Sequence, residues 1–240
     1  MLSAERITEQ MNLPELPVYV FAELDSTSSE CRRRLGAGER QCLVLAERQT
    51  MGRGRSDKAF FSPAGGLYMS LAMQMPPDVT GLTCRAAVEA AEAIEREVGI
   101  SCGIKWVNDL FYQGKKVCGI LTEAVGNGVI LGIGINLTPT ALPPELDGIA
   151  GFLCCGDVRE SLAAALAVRL MSDRERAAYM EEYRRRSVVL GKTVRCKSGG
   201  RETVATVLEI DDEGGLVVLG PSGRETLHFG EVSLCGIGDK

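Results

Sequence analysis

The 240-residue chain is 45% hydrophobic and 25% charged, which is typical of a folded protein with one large domain and one small one. Its net charge of −5 does not favour nucleic acid as a general partner. Nine cysteines without a Cys-x-x-Cys pair indicate reduced thiols in a cytoplasmic protein rather than a zinc site or a disulfide framework. No signal peptide and no apolar run of about 18 residues are present, so no membrane association is expected.

The first hundred residues predict three strands, two helices and one glycine-rich loop. Residues 1–17 are polar and interrupted by two prolines, and no element is assigned there. Asp25, Ser26 and Thr27 offer side chains that can cap a following helix, and Gly36 is a typical helix stop. The predicted elements are strands at 18–21, 43–46 and 67–73 and helices at 28–35 and 82–98.

The middle of the chain predicts strands that run as hairpins, followed by grouped helices. Turn signals lie at Gln113–Lys115 and at Asn127-Gly128. The predicted elements are strands at 104–106, 110–112, 116–123 and 129–135, a proline-rich loop at 139–151, and helices at 159–171 and 174–186. Because the strands form hairpins and the helices are grouped, the predicted fold class is α+β rather than a parallel α/β sheet.

The sequence after Gly191 contains only short β-branched runs separated by turn residues. Turn signals at Ser198–Gly200, Asp211–Gly214 and Pro221–Gly223 bound these runs. The predicted strands lie at 193–195, 203–210, 216–219 and 225–229. Together they predict a small SH3-like β-barrel. The predicted domains are 1–188, the larger α+β part, and 189–240, the C-terminal β part.

The most informative stretch is a basic loop, Gly52-Arg53-Gly54-Arg55, followed by Ser56-Asp57-Lys58. Glycine lets the backbone approach a ligand closely, and arginine presents planar donors that match a carboxylate or a phosphate. The loop therefore predicts a binding segment for a small anion. A flexible loop without function and an RNA-contacting segment stay open as alternatives. His228, the only histidine, lies in a predicted strand and is interpreted as structural, which excludes a Ser-His-Asp centre.

Three further segments carry side chains suited to a small ligand. Asp25–Ser28 places hydroxyls at a helix N-terminus, and Gln49 can donate and accept hydrogen bonds at once. Residues 105–121 combine basic, aromatic and amide side chains, and residues 132–136 end a strand with spaced glycines and Asn136. Each segment also has a structural interpretation, namely a helix cap, a charged hairpin with a buried tryptophan, and a core strand packed through small residues.

Taken together, these segments resemble the biotin protein ligases. The most specific pieces are Gly52-Arg53-Gly54-Arg55 with Ser62-Pro63 and Gly65-Gly66-Leu67-Tyr68, then Lys105-Trp106-x-Asn108-Asp109-Leu110 and Lys116-x-x-Gly119-Ile120-Leu121. The resemblance extends from Asp25 to about Leu234. It implies a class II synthetase-like catalytic domain with a central mixed or antiparallel sheet, and a small C-terminal SH3-like β-barrel.

The resemblance also implies an ATP-dependent reaction in two steps, with biotin, ATP and Mg²⁺ as its small molecules. Biotinyl-5′-AMP forms first, and a lysine of a biotin carboxyl carrier protein then takes the biotinyl group. The residues that it assigns to catalysis are Lys116, Arg53 and Arg55. Those that it assigns to biotin are Ser26, Thr27, Ser28, Gln49, Arg53, Gly54, Arg55, Lys116 and Gly119. Those that it assigns to the adenylate are Phe60, Trp106, Asn108, Asp109, Gly134 and Asn136, and no protein metal site is expected.

The chain departs from the family pattern at Val107, where proline is common, and at Ser28, where asparagine is common. These differences concern loop geometry and ligand retention. Residues 1–24 are too few for a three-helix DNA-binding unit, so no operator binding is expected. Members of the family often dimerise, which makes a homodimer a further expectation. The alternative functions are a lipoate or octanoate ligase or transferase of related fold, and a non-catalytic polyanion-binding module.

Overall fold

The computed structural model describes residues 1–55, 58–76 and 79–235. Ser56 and Asp57 of the predicted basic loop and residues 236–240 of the predicted C-terminal domain lie outside the described residues. The helices are α1 (Ala4–Met11), α2 (Thr27–Gly36), α3 (Leu82–Val98), α4 (Arg159–Met171) and α5 (Arg176–Arg186). The strands are β1 (Val18–Phe21), β2 (Cys42–Ala46), β3 (Leu67–Gln74), β4 (Gly103–Lys105), β5 (Asp109–Tyr112), β6 (Lys115–Val125), β7 (Gly128–Ile135), β8 (Thr193–Ser198), β9 (Arg201–Ile210), β10 (Leu216–Gly220), β11 (Gly223–Leu227) and β12 (Glu231–Leu234).

The central element is a seven-stranded mixed sheet with the strand order β1-β2-β3-β7-β6-β5-β4. β1 and β2 are parallel, and the other neighbouring strands are antiparallel. α2 packs against β2, β3 and β7, whereas α3 contacts β6 and α4 contacts β3. All five residues of β2 are buried, as expected for a strand that is covered on both faces. The sheet and its helices confirm the predicted α+β class with a central mixed sheet.

Two apolar clusters lie on the two faces of this sheet. Leu43 and Leu45 belong to the larger cluster with α3 and α4, whereas Cys42 and Val44 pack with Cys31 of α2 in the smaller one. Because alternate residues of a strand point to opposite faces, β2 contributes to both clusters. The smaller cluster holds α2 against the sheet and thereby fixes the position of the helix N-terminus.

Local sequence predicts most element boundaries to within two residues, but one turn is displaced and β12 was not predicted as a strand. α3 begins and ends at the predicted residues, because apolar side chains recur along it at helical spacing. The turn between β6 and β7 consists of Gly126 and Asn127, since Val125 pairs with Gly128. The predicted Asn127-Gly128 turn was therefore wrong by one residue, and Gly128 is the first residue of β7.

One helix, α1, was not assigned from the sequence, and it packs against α4 and β1. The Ser3 hydroxyl accepts a hydrogen bond from the Arg6 amide and caps the helix. Ile7 and Met11 are buried one turn apart, and Arg6 forms an ion pair with Glu160 of α4. Only these two residues of the helix are buried, so its amphipathic pattern is short and lies among polar residues.

The C-terminal part is a five-stranded antiparallel sheet with the order β11-β10-β9-β8-β12, which confirms the predicted SH3-like β module. Within the described residues β11 and β12 are not paired with each other, so the sheet is not closed into a full barrel by hydrogen bonds. His228 directly follows β11 instead of lying within it, because β11 (Gly223–Leu227) both begins and ends two residues before the predicted strand at 225–229. None of the helices in the described part of the chain is long and apolar enough to cross a bilayer.

Candidate active site

A cavity of about 470 Å³ opens over β6 and β7, between the N-terminus of α2 and the C-terminal sheet. Every predicted site residue lines it except Asn136. The predicted residues on its wall are Ser26, Thr27, Ser28, Gln49, Arg53, Gly54, Arg55, Phe60, Trp106, Asn108, Asp109, Lys116, Gly119 and Gly134. Residues 230–233 of the C-terminal sheet also line it, so both parts of the chain contribute to one cavity. A concave site with convergent polar groups is the usual form of a small-molecule site.

The floor of the cavity is made by two glycines that face each other on neighbouring strands. Gly119 of β6 is the register partner of Gly134 of β7. A Cβ atom added at Gly134 would lie 2.4 Å from Cε1 of Phe60, and one added at Gly119 would lie 2.9 Å from Cε2 of the same ring. The Phe60 ring also packs edge-on against Tyr68, with ring centres 6.4 Å apart. Glycine at both positions therefore makes room for an aromatic side chain over the sheet.

The N-terminus of α2 forms an uncharged polar end of the cavity. The Thr27 amide donates to Oε1 of Gln49 at 2.8 Å, and Nε2 of Gln49 donates to the Ser62 hydroxyl at 2.8 Å. The hydroxyls of Thr27 and Ser28 lie 2.7 and 3.0 Å from the hydroxyl of Ser70. Hydroxyl and amide groups can each donate and accept, so this end suits a neutral polar group such as a urea or an amide.

The two loop arginines extend in different directions and connect the loop to two other parts of the chain. Arg53 forms an ion pair with Glu123 of β6 at 3.0 Å. Arg55 donates to Oδ1 of Asn108 at 3.0 Å and to the carbonyl oxygen of Gly230 at 3.1 Å. The basic loop therefore contacts the central sheet through one arginine and the C-terminal part through the other.

Two lysines add further positive charge to the wall of the cavity. Nζ of Lys116 lies 2.7 Å from Oδ1 of Asp109 and 5.8 Å from the centre of the Phe60 ring. Nζ of Lys105 lies 5.1 Å from the centre of the Phe111 ring. Burial lowers the pKa of Lys105, although the neighbouring charge of Asp109 acts in the opposite direction. Among the described lining residues, five side chains are basic and two are acidic, so the cavity favours an anionic ligand.

Three predicted adenylate residues also have structural partners. The buried indole of Trp106 donates to the carbonyl oxygen of Gly214 at 2.8 Å and so joins the central sheet to the C-terminal part. The side-chain amide of Asn108 donates to a β6 carbonyl at 2.7 Å. The side-chain amide of Asn136 donates to the carbonyl oxygen of Gly151 at 3.1 Å. Asn136 therefore fixes a loop behind the cavity and does not lie on its wall.

Other polar residues at or beside the cavity were not among the predicted site residues. Lys105 belongs to the Lys-Trp-x-Asn-Asp-Leu motif and lines the cavity, but the motif alone predicts no role for it. Ser70 is fully buried in β3, and the sequence marks it only as a single hydroxyl residue within a run of apolar residues. Glu123 contacts the loop across a long stretch of sequence, and no local pattern indicates such a pair.

Comparison with known proteins shows what this arrangement resembles. Residues 20–139 match the Biotin/lipoate A/B protein ligase family, and residues 189–235 match the Biotin protein ligase C terminal domain. The biotin–[acetyl-CoA-carboxylase] ligase of Paracoccus denitrificans is 30% identical over 241 residues, covering 90% of this chain and 100% of that protein. The corresponding Mycobacterium tuberculosis ligase is 28% identical over 215 residues, covering 82% of this chain and 81% of that protein.

Solved structures agree with these sequence matches. The Aquifex aeolicus biotin protein ligase in complex with biotin and ATP superposes with a TM-score of 0.78 at 26% identity, covering 91% of this chain and 98% of that one. The two family models match the chain in the same order as the central sheet and the C-terminal sheet occur along it. The chain therefore belongs to the Biotin/lipoate A/B protein ligase family, among the biotin protein ligases.

Proposed function

We propose that this chain activates biotin with ATP to biotinyl-5′-AMP and then transfers the biotinyl group to a lysine of a biotin carboxyl carrier protein. The observation that carries the proposal is one cavity with two chemically different parts. A neutral network of hydroxyl and amide groups lies at the N-terminus of α2, and basic side chains surround the remainder. Biotin has a neutral ureido head and an anionic carboxylate, so its two ends match these two parts.

In the first step a carboxylate oxygen of biotin attacks the α-phosphorus of ATP. A new oxygen–phosphorus bond forms, the bond to the β-phosphate oxygen breaks, and pyrophosphate leaves. Negative charge develops on the oxygens around the α-phosphorus, where Arg53, Arg55 and Lys116 would stabilise it. A fixed donor aimed at developing charge contributes about 2.7–4 kcal/mol to lowering such a barrier. Positioning and charge thus supply most of the rate, without a side-chain base.

In the second step the neutral ε-amine of the carrier lysine attacks the acyl carbon of the adenylate. An amide bond forms, the bond from the acyl carbon to the phosphate oxygen breaks, AMP leaves, and the amine proton is released to solvent. The mixed anhydride must not meet water before the carrier arrives. The basic loop and the Phe60 ring over the glycine floor are the groups that would exclude it.

Mg²⁺ would enter this site as part of the MgATP substrate. Within the described residues there is no group of three or more His, Cys, Asp and Glu side chains that could hold a metal ion. Asp109, the acidic side chain nearest to Lys116, already has that lysine as its partner. The proposal therefore assigns Mg²⁺ to the ATP phosphates. The homodimer, the domain division at residue 188 and the absence of DNA binding stay predictions.

The proposal is tested by mass spectrometry of the reaction mixture after the purified chain is incubated with biotin and MgATP. Biotinyl-5′-AMP is expected with the wild-type chain and should be nearly lost in Lys116→Met, because the variant lacks the cation at the reacting phosphate. Lys115→Met is the matched control, since Lys115 is the exposed neighbour in the same strand and does not line the cavity. It should retain wild-type adenylate formation.

Adding a carrier domain then tests the transfer step, with a mass gain of one biotinyl group on the carrier as the expected result. Lipoate and octanoate serve as competing acids in the first step. If either of these acids is adenylated and biotin is not, the proposed substrate is wrong although the reaction type is right. If the wild-type chain adenylates none of the three acids, the ligase proposal fails as a whole.

A further inference from the structure

One acidic side chain outside the cavity is shared by two arginines that come from different elements. Oε1 of Glu123 lies 3.0 Å from Nη2 of Arg53 in the basic loop and 3.0 Å from Nη2 of Arg32 in α2. The Glu123 side chain is 15% exposed, so the carboxylate is largely removed from water. Its second oxygen, Oε2, is buried and has no hydrogen-bond partner among the described residues.

The position of Glu123 on β6 explains why it can reach the loop. Gly119 and Leu121 line the cavity, and Glu123 follows them on the same face of the strand because side chains alternate along it. Arg53 lines the cavity while its guanidinium pairs with Glu123. The Arg53–Glu123 pair therefore crosses the edge of the cavity and connects the loop to the sheet beneath it.

We infer that Glu123 is a positioning residue that holds the basic loop, through Arg53, over the bound acyl-adenylate. This inference rests on the proposed function. Glu123 does not line the cavity, so it acts on the ligand only through the arginine. The free lone pairs of Oε2 let Arg53 change its contact geometry when an anion binds without leaving the carboxylate. Loss of the pair should then loosen the loop and speed release of the intermediate.

Glu123→Gln removes the charge and keeps the size of the side chain. The Arg53 side chain is 41% exposed, so the pair is partly screened by solvent. Exposed ion pairs of this kind are worth about 0.2–1 kcal/mol, which corresponds to an increase of up to about fivefold in the release rate of biotinyl-adenylate. Arg32→Gln is the matched control. It removes the other partner of the same carboxylate, leaves the Arg53 contact in place, and should leave the release rate unchanged or lower it.

The first measurement is the release of preformed biotinyl-adenylate from the wild type, the two single variants, Arg53→Gln and the Arg53→Gln/Glu123→Gln double variant. If Glu123 acts through Arg53, its substitution has no further effect once Arg53 is replaced. An unchanged release rate in Glu123→Gln overturns the inference. So does an increase of equal size in Arg32→Gln, or a Glu123→Gln effect that persists in the double variant.

The second measurement does not depend on biotin. Hydrogen exchange of the ligand-free chain, read by mass spectrometry on peptides from residues 52–60, reports how often the loop opens. The amides of Gly54 and Phe60 donate to the carbonyls of Lys58 and Gly52 at 2.7 and 2.8 Å and should exchange faster in Glu123→Gln but not in Arg32→Gln. Equal exchange in wild type and Glu123→Gln overturns the inference even if no adenylate forms. If biotinyl-adenylate does not form but exchange is faster in Glu123→Gln, the proposed function fails while the contact by which Glu123 holds the loop is supported.

Discussion

Replacing Gly134 by alanine would add one methyl group to the floor of the cavity. The new Cβ would lie 2.4 Å from Cε1 and 2.7 Å from Cζ of Phe60. Carbon atoms pack at about 3.5–4.0 Å, so the ring would have to move by roughly 1 Å or more. The φ of Gly134 is not in the positive region, so the clash with the ring, and not backbone strain, is the source of the expected effect.

The size of the effect follows from the contacts that the ring must give up. Phe60 packs edge-on against Tyr68, and aromatic pairs of this kind are worth about 0.5–1.5 kcal/mol. Nζ of Lys116 lies 5.8 Å from the ring centre, within the range of a cation–π contact worth about 0.5–1 kcal/mol at an exposed site. Overpacking in general costs about 1–3 kcal/mol, and we expect Gly134→Ala to destabilise the chain by an amount within this range.

Urea unfolding of the wild type, Gly134→Ala, Phe60→Ala and the double variant measures this cost. In the Phe60→Ala background, Gly134→Ala should change the free energy of unfolding little, because the ring atoms that the new Cβ would meet are absent. Gly36→Ala is the control, since a Cβ there meets nothing within 4 Å and the helix should gain up to about 1 kcal/mol. If Gly134→Ala is as stable as wild type, or is equally destabilised without Phe60, the ring does not rest on the glycine floor.

Two further predictions concern positions outside the cavity floor. Hydrogen bonds from Arg185 and from Arg186 lower the pKa of Glu182 to about 2. Their contribution to the stability of the folded chain is therefore complete above about pH 4.5 and is lost as the pH falls towards 2. Glu182→Gln should therefore reduce the free energy of unfolding by about 1.5–3 kcal/mol at pH 7, and by less at pH 3, in urea titrations. Trp106→Phe should lower stability by about 1–3 kcal/mol in thermal unfolding, because it leaves the buried carbonyl of Gly214 without its donor.

Elements with a repeated local pattern were predictable from the sequence, and elements held by distant contacts were not. α3 was placed at its observed ends because its seventeen residues carry a continuous helical pattern. α1 was missed because its stability comes from Ile7 and Met11 packing in the core and from Arg6 pairing with Glu160, which is far away in the sequence. The same reason explains the β11 boundary, since strand ends depend on the pairing partner.

In the candidate site, too, features with a local sequence motif were predictable and contacts between distant residues were not. The hydroxyls of α2, the glycines of β6 and β7, and the loop arginines were recognised because each lies in a short motif with its own chemistry. The contacts of those side chains depend on the tertiary structure, as Asn136 shows. The amide side chain of Asn136 and its place at the end of a glycine-spaced strand predict a ligand contact. In the folded chain this amide donates to the carbonyl oxygen of Gly151, a contact that the sequence does not indicate.

The cations assigned to catalysis each have a protein partner in this structure: Asp109 for Lys116, Glu123 for Arg53, and Asn108 for Arg55. A partly exposed ion pair contributes only about 0.2–1 kcal/mol, whereas a donor aimed at developing charge in a closed site contributes about 2.7–4 kcal/mol. For Lys116 and Arg55, exchange of the protein partner for a phosphate or carboxylate oxygen is therefore favourable once the loop excludes water, whereas Arg53 keeps its contact with Glu123 and offers its remaining N–H groups to the ligand. The same pairs keep the cations at the cavity wall before the ligand arrives, so that binding reorders few long side chains and the entropic cost of assembling the site is low.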